Sequence, residues 1–524
     1  MLKKIEFKEK FFLITLLVIA FLINFYVGSR GVYPVDTFIH YDFGYRILLG
    51  DSPVKDYWIV HGFLVDYIQA FFFKVFGNNW QSYLIHSSLF NSLIVFFTFY
   101  IFKLIKIKLH FSVFFSLALA FLAYPVSGTP FLDLHSTYFS LFAIYFIIIS
   151  LIKNKTFYWF WVSFFLCLAF FSKQVPAAYV IICVSILNFF LFIKEKNIYI
   201  IIWYLFGVLL FLSILFILLK FNEISIKDFI VQVFLFPKSI GNDRYTSLNF
   251  NFKNIILDFK FIYIFLISIF SLNIFSLIKK EKFYYSKSFD IFLTIIFFSI
   301  SIIFHQVLTK NQIFIFFLIP ILSGFTVYYL EKFNLKYKNI FNIFFLLICL
   351  FSTLKYNERF NVERKFHELS HVNLNDSVKV DLFSGKLKGI NWISPYFNDP
   401  NEELEKISFF YNILKDDNEE KMVITEYNFF SSILDQNLSS PSRTFDDISY
   451  PGINTKYFEN YQKHLIDNIK KDKIKRIYIY EPIEINEARL SHLVFNYIPK
   501  DCFNLKNIDD HTKLLVILDC EKLR

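Results

Sequence analysis

Asp36, His40, Asp42, Asp56, His61 and Asp66 all fall in one stretch, VYPVDTFIHYDFGYRILLGDSPVKDYWIVHGFLVDYIQAFFFKVFG, between the first two long apolar runs of a 524-residue chain. Carboxylates and imidazoles are the groups that take, give and hold protons. At the edge of a low-dielectric slab they are costly to keep and readily shifted in pKa, so such a cluster is by default a candidate site. Three smaller groups lie between later apolar runs: Asp133 with His135, Lys173 with Gln174, and His305 and Gln306 with Lys310, Asn311 and Gln312. Each has a plainer alternative. Asp36 follows Pro34 and would N-cap a helix ending before Gly50, with His40 on the same face. Asp133 would cap a helix beginning at Leu134, Lys173 would snorkel to the interface, and the His305 to Gln312 group would be an ordinary polar turn.

The elements that must position these groups are membrane spans. The chain is 56% hydrophobic, 22% aromatic and only 19% charged, and its apolar residues come in long blocks, outside the range of soluble globular proteins. A bilayer-crossing helix needs ~20 apolar residues. Blocks of that kind, beginning near Phe11, Gln81, Phe111, Ser136, Phe157, Pro176, Ile198, Phe261, Ile291, Ile313 and Ile340, predict about eleven spans. The run Gly62 to Phe76 is apolar but too short to span, and is expected to lie at the interface. Ile226 to Phe236 reads as an amphipathic piece that would close over an acceptor or merely connect two spans.

Lysines fall in every second loop, at Lys3 to Lys10, Lys103 to Lys108, Lys153 and Lys155, Lys194 and Lys196, Lys279 to Lys287 and Lys332 to Lys338. The positive-inside rule makes those loops and the N-terminus cytoplasmic, so the candidate residues and the C-terminal part face outward. The net charge of +10 is absorbed by this topogenic pattern, and no basic stripe interleaves with stacking aromatics, so nucleic acid is not an expected partner. The first apolar run has a basic leader but no evident cleavage site, and reads as an uncleaved span. Preference for Phe, Ile, Lys and Asn over Ala, Gly and Arg favours a bacterial protein, hence the inner membrane.

Apolar blocks stop near Leu354, which divides the chain into a membrane domain, 1–354, and an extracytoplasmic domain, 355–524. Strand-like runs at Val378 to Phe383, Lys421 to Tyr427, Ile474 to Tyr480 and Leu514 to Leu518 alternate with helix-like runs at Glu402 to Leu414, Lys456 to Ile469 and Ile485 to Val494, the pattern of a small α/β sheet packed by helices. No Gly-rich nucleotide fingerprint opens any of these helices. Cys167, Cys183 and Cys349 sit in spans as small apolar residues, whereas Cys502 and Cys520 lie in the exported part, where an oxidising compartment permits a disulfide.

DTFIHYDFGYRILLGDSPVKDYW resembles the first external loop of the GT-C superfamily of polyprenyl-phosphate-sugar-dependent glycosyltransferases, which includes the protein O-mannosyltransferase and aminoarabinose transferase families. FLDLHSTYFSLFAIYFIII ahead of LAFFSKQVPAAYV is similar to the family's Asp-led fourth span and the span ending in a lysine motif; TKNQIFIFFLIPIL resembles the loop that begins a late span. The resemblance covers roughly Tyr33 to Pro320 through diffuse spacing rather than a tight signature. It implies a GT-C-like polytopic α-helical membrane protein with a C-terminal extracytoplasmic α/β domain. It places Asp36 where the family carries its catalytic acid, with the spacing to Gly50 preserved. The chain departs at Thr37, where many members have a second acidic residue, leaving Asp42 as the candidate substitute and a divalent metal as an open requirement.

The chemistry implied is transfer of a sugar from a polyprenyl-phosphate donor to an acceptor hydroxyl on a glycan, lipid or protein, with inversion. Asp36 would take the hydroxyl proton, with Asp42 as a second catalytic carboxylate. Lys173, Gln174, His305 and Lys310 would hold the departing phosphate, and His40, Asp56, His61, Asp133, His135, Asn311 and Gln312 would bind sugar or acceptor. A transporter or flippase of lipid-linked or small polar substrates is the main alternative. It predicts ionisable groups near the bilayer midplane and matched broken spans. A sensory protein merely anchored by its spans would leave the polar outer loops without a use.

Overall fold

A computed structural model describes residues 7–246, 252–279, 283–309, 313–380, 385–445, 449–482 and 494–519. In chain order the helices are α1 (Phe7–Gly28), α2 (Pro34–Thr37), α3 (Ile39–Leu49), α4 (Leu64–Phe76), α5 (Trp80–Leu104), α6 (Leu109–Leu122), α7 (Leu132–Lys153), α8 (Tyr158–Ser172), α9 (Gln174–Glu195), α10 (Tyr199–Phe221), α11 (Ile226–Ile230) and α12 (Phe236–Thr246). They continue as α13 (Lys260–Lys279), α14 (Lys287–Thr309), α15 (Leu318–Phe333), α16 (Lys338–Asn357), α17 (Pro400–Asp416), α18 (Phe430–Leu434) and α19 (Phe458–Lys471). All of the expected spans are helical. Among the described residues nine helices are long and apolar enough to cross a membrane; α8 has 15 residues and α15 has 16, short of the ~20 that a full crossing takes.

The chain divides into two compact units, one of Met1–Gly28, Leu84–Phe216 and Arg244–Phe366, the other of Ser29–Tyr83, Ile217–Asp243 and His367–Arg524. In the first unit α7 is buried along almost its whole length and packs against α8, α9 and α14. Apolar side chains gain little from packing in lipid, so small residues and interhelical hydrogen bonds must hold such a bundle. Gly28 and Gly128 supply a close approach: a Cβ on Gly28 would lie 2.5 Å from the Gly128 carbonyl oxygen, and Gly128 itself has φ +78°. Beside them Asn24 Nδ2 donates to Ser87 and to the Gly128 carbonyl, and Asn91 Nδ2 donates to the carbonyls of Ala20 and Ala120 at 2.8 and 3.0 Å.

Titratable pairs in this unit sit at the helix ends. Glu9 meets Lys103 at 2.8 Å, Lys108 meets Glu331 at 3.2 Å and Lys194 meets Asp290 at 2.5 Å. All three involve lysines of the basic loops, Lys103, Lys108 and Lys194, whereas Asp133 lies in the first turn of α7, at the opposite end from Lys153, and Lys173 directly follows α8.

The second unit carries the sheet. β1 (Val378–Lys379) and β2 (Asn391–Trp392) form a two-residue antiparallel pair; β3 (Lys421–Thr425), β4 (Arg476–Tyr480), β5 (Phe503–Asn507) and β6 (Thr512–Ile517) form a four-stranded sheet in the order β3-β4-β6-β5. β3 and β4 are parallel, with α19 in the crossover, and β6 is antiparallel to both β4 and β5. Ile424, Ile477, Ile479 and Leu515 meet Tyr461, Leu465 and Ile469 of α19 in one core. The expected strands at 421–427, 474–480 and 514–518 and the helices at 402–414 and 456–469 are all present, while most of 485–494 lies outside the described residues. Cys502 is disulfide-bonded and Cys167, Cys183 and Cys349 are free; Cys520 lies outside the described residues.

His464 of α19 makes this unit sensitive to acid. Its ring packs edge-on to Trp58 and its Nε2 accepts from Asn468 Nδ2 at 3.1 Å. Burial, with the nearby Lys471 ammonium, pushes its pKa down to about 4. A pKa lowered by folding means the unfolded chain binds the proton more readily, so stability falls as pH drops from about 6.5 to about 4 and is flat in this contribution below that. The melting temperature of the wild type should decline across that window, and His464→Gln should flatten part of the slope. An unchanged slope in the variant would remove His464 as its source.

Candidate functional site

Asp36 stands in the second unit on α2, a four-residue helix with Pro34 at its first turn. It is not an N-cap. Tyr33 occupies that position, the Tyr33 N–H donates to Thr37 Oγ1 at 2.9 Å, and the N–H groups of Asp36 and Thr37 donate back to the Tyr33 carbonyl. Neither α2 nor α3 has a side-chain cap at its start, so the capping expected of Asp36 is absent. The helix breaks at Phe38, and α3 then runs to a left-handed cap at Gly50, φ +109°. Asp36 is half-buried. Beside it the Tyr33 hydroxyl is hydrogen-bonded with Tyr396, and burial, followed by the charges of Glu368, Asp36 and Glu426, holds the Tyr33 pKa above its usual value.

The other loop residues are occupied structurally. Asp42 is buried on α3 and accepts from Ser431 Oγ at 2.7 Å and the Ser432 N–H at 3.0 Å; burial raises its pKa while those donors and Arg46 work to lower it. His40 Nδ1 lies 2.5 Å from Asp66, and Asp66 also accepts from Arg443 Nη1 at 3.0 Å and the Tyr57 hydroxyl at 3.3 Å. Asp56 accepts from the Ser52 N–H at 2.6 Å and pairs with Lys471. His61 is half-buried. Gln232, in the turn after α11, accepts from the Ile59 N–H and donates to the Val54 carbonyl, both at 3.0 Å, so the amphipathic segment is stitched to the first loop. α4 buries Asp66, Gln69 and Phe73 and exposes Phe71, Val75 and Phe76, the two-faced helix expected of an interfacial segment.

In the first unit Asp133 lies in the first turn of α7, where Phe131 is the N-cap and no side chain caps the helix. Its carboxylate is instead 2.6 Å from Lys173 Nζ, and Ser136 Oγ donates to the Lys173 carbonyl at 3.0 Å. Lys173 is the extended residue between α8 and α9, followed by a cis Val175–Pro176 peptide that kinks the start of α9 beside Gln174. The nearby His135 is buried, its Nε2 3.0 Å from His86 Nε2 and its Nδ1 2.7 Å from the Tyr124 hydroxyl. His305 and Gln306 are not in a turn. They are buried in the last turns of α14, which continues to Thr309 because nothing in VLT breaks it, and Gln306 Nε2 lies 3.0 Å from His305 Nδ1. Lys310, Asn311 and Gln312 lie outside the described residues. Among the described residues no three His, Cys, Asp or Glu side chains gather as a metal would require.

Arg443, Lys471, His86 and Tyr124 were not legible as partners of these groups. Arg443, Lys471 and His86 reach their carboxylate or imidazole from 377, 415 and 49 positions away, and Tyr124 reaches His135 from 11 positions away, so only a buried Arg or His with no local partner would have hinted at them.

Residues 60–219 match the model of the dolichyl-phosphate-mannose-protein mannosyltransferase family. The expected resemblance to GT-C glycosyltransferases is shown by that match. The matched segment takes in His61, Asp66, Asp133, His135, Lys173 and Gln174, and leaves Asp36, His40, Asp42 and Asp56 upstream of it. Among solved structures the chain is similar to ArnT from Cupriavidus metallidurans bound to undecaprenyl phosphate, at 9% identity and a TM-score of 0.44, covering 97% of this chain and 98% of that one. No curated protein matches the chain at a significant level.

Proposed function

We propose that this protein is an integral membrane glycosyltransferase that moves a sugar from a polyprenyl-phosphate donor to an acceptor hydroxyl, inverting at the anomeric carbon. The observation that carries the reading is the GT-C family match across 60–219, the segment that contains the Asp133–Lys173 pair. A hydroxyl is a weak nucleophile and needs a base as it attacks; a lipid phosphate leaves with its charge and needs a fixed cation. Asp36 is assigned the first task. Lys173, with Gln174 and His305, is assigned the second, Asp133 serving to hold the ammonium in place until phosphate replaces it. Acceptor contact falls to the half-buried His61, while His40, Asp56 and His135, already engaged with Asp66, Lys471 and His86, hold their own segments in shape. The catalytic face is extracytoplasmic in this reading, as is 355–524, supported by the alternation of lysines and by the disulfide at Cys502. The transporter alternative predicts charges mid-span, whereas Glu9–Lys103, Lys108–Glu331, Asp133–Lys173 and Lys194–Asp290 of the first unit lie at helix ends.

The test is to incubate the full chain, purified into lipid, with a panel of polyprenyl-phosphate sugars and hydroxyl acceptors and to measure free polyprenyl phosphate. Release that depends on acceptor supports transfer; movement of intact donor across the bilayer with no release would establish a flippase instead. Within that assay Lys173→Gln keeps a donor for Asp133 but loses the charge. A charged hydrogen bond contributes about 1.5–3 kcal/mol, so the apparent KM for donor should rise about tenfold or more, with a smaller change in kcat. An unaltered KM would take Lys173 out of the phosphate site.

A further inference from the structure

The lysine-bearing end of the first unit encloses a cavity of about 400 Å³, within the usual size range of small-ligand sites. Four lysines line it, Lys106, Lys108, Lys287 and Lys332, against one carboxylate, Glu331. That carboxylate is already shared by Lys108 and by Lys338 at 3.2 and 3.1 Å. Lys287 donates to the neutral amide oxygen of Asn154. The four lysines are exposed, whereas the apolar lining residues Phe111, Ile291 and Val327 are buried and Ile152 is half-buried; the hydroxyls of Ser288 and Tyr328, also in the lining, are hydrogen-bonded to each other at 2.9 Å.

A cationic rim over an apolar floor, at the ends of helices long enough to span, fits a phosphate carried on acyl chains. Basic pockets between helices on the lysine-rich face of a membrane protein are where anionic head groups are held. The pocket is remote from the pair proposed to hold the donor: α7 joins Asp133 to Ile152 near its far end, and its 22 residues rise ~33 Å at 1.5 Å each. We propose that this cavity is a binding site for an anionic glycerophospholipid, its phosphate among Lys106, Lys287 and Lys332 and its acyl chains against Ile152, Ile291 and Val327. The inference rests on the membrane placement of the first unit and not on the reaction proposed for the chain.

Native mass spectrometry of the full chain in detergent, titrated with phosphatidylglycerol, phosphatidylcholine or inorganic phosphate, tests it. Phosphatidylglycerol should be retained in preference to phosphatidylcholine, and inorganic phosphate should not displace it. Lys106→Gln, Lys287→Gln and Lys332→Gln combined should weaken retention by about a hundredfold, at about fivefold per lysine near a membrane surface. Ile152→Trp fills the floor while leaving every charge in place and should weaken it as well. Lys336→Gln, a charge outside the lining, should leave retention at the wild-type level. Equal retention of the two lipids, displacement by inorganic phosphate, or wild-type retention by both the triple variant and Ile152→Trp would each overturn the proposal.

Discussion

Asp36→Asn should lower the rate of sugar transfer by about 10²–10⁴-fold, the usual contribution of a positioned base, while the protein melts as the wild type does. Asparagine has nearly the same shape and keeps an oxygen that can accept a hydrogen bond, but it cannot take a proton. The backbone of α2 is held by groups that the exchange leaves in place: Pro34 begins it, Thr37 Oγ1 accepts from the Tyr33 N–H, and the Asp36 N–H is bonded to the Tyr33 carbonyl. Fold and chemistry are therefore separable at this position. They are less so at Asp42, whose two oxygens are bonded to Ser431 and Ser432, and Asp42→Asn is expected to register first as lost stability. Initial rates of polyprenyl phosphate release, with melting curves for both variants, make the distinction. Full activity in Asp36→Asn would withdraw the base assignment, and an equal fall in melting temperature for both variants would recast Asp36 as structural.

What the chain reveals before folding is set by how locally each feature is determined. A spanning helix is fixed by its own composition, so the blocks from Phe11 to Leu354 were readable one by one, including α8 and α15, which are helical though short. The strands β3 and β4 were equally plain, because KMVIT and RIYIY are almost wholly buried runs. β5 was not, since FNLKN is exposed along most of its length and carries no apolar alternation. Helix starts misled because a residue able to cap is not always used for it. Asp36 and Asp133 are both good caps, yet neither helix start has a side-chain cap, and Asp133 is engaged with Lys173 instead. The turn expected at His305 failed for a related reason: polar residues do not stop a helix unless they offer the backbone a better partner, and α14 runs on to Thr309. Partners hundreds of residues apart leave no trace in local pattern at all, and the site's charge balance is built from those.

The largest stability effect is expected at such a long-range pair. Asp66 and Arg443 are separated by 377 positions, and the carboxylate is fully buried. Burial alone would raise the Asp66 pKa; the Arg443 guanidinium, then His40, outweigh it and hold the group below the ordinary carboxylate value. His40 is driven the other way by burial, only partly offset by Asp66, so its pKa is lowered and the ring is neutral near pH 7, with Nδ1–H donating to Asp66. One full cation thus balances one full anion. Arg443→Met removes it and leaves a buried charge, at a cost of about 3–5 kcal/mol, a large share of the ~5–15 kcal/mol that holds a domain together. Asp66→Asn with Arg443→Met restores neutrality and should recover much of the loss, the non-additivity expected of two directly interacting groups. Because the folded pKa of Asp66 is depressed, this stabilisation is complete above about pH 4 and is lost as pH falls further. Arg443 also donates to the Gly62 carbonyl at 2.8 Å, tying the turn before α4 to the pair; α4 in turn packs on α3 and holds His40. Arg443→Met should therefore cost transfer activity as well as stability, with both regained in the double variant. Strict additivity of the two melting shifts would mean that packing, and not charge, governs this part of the fold.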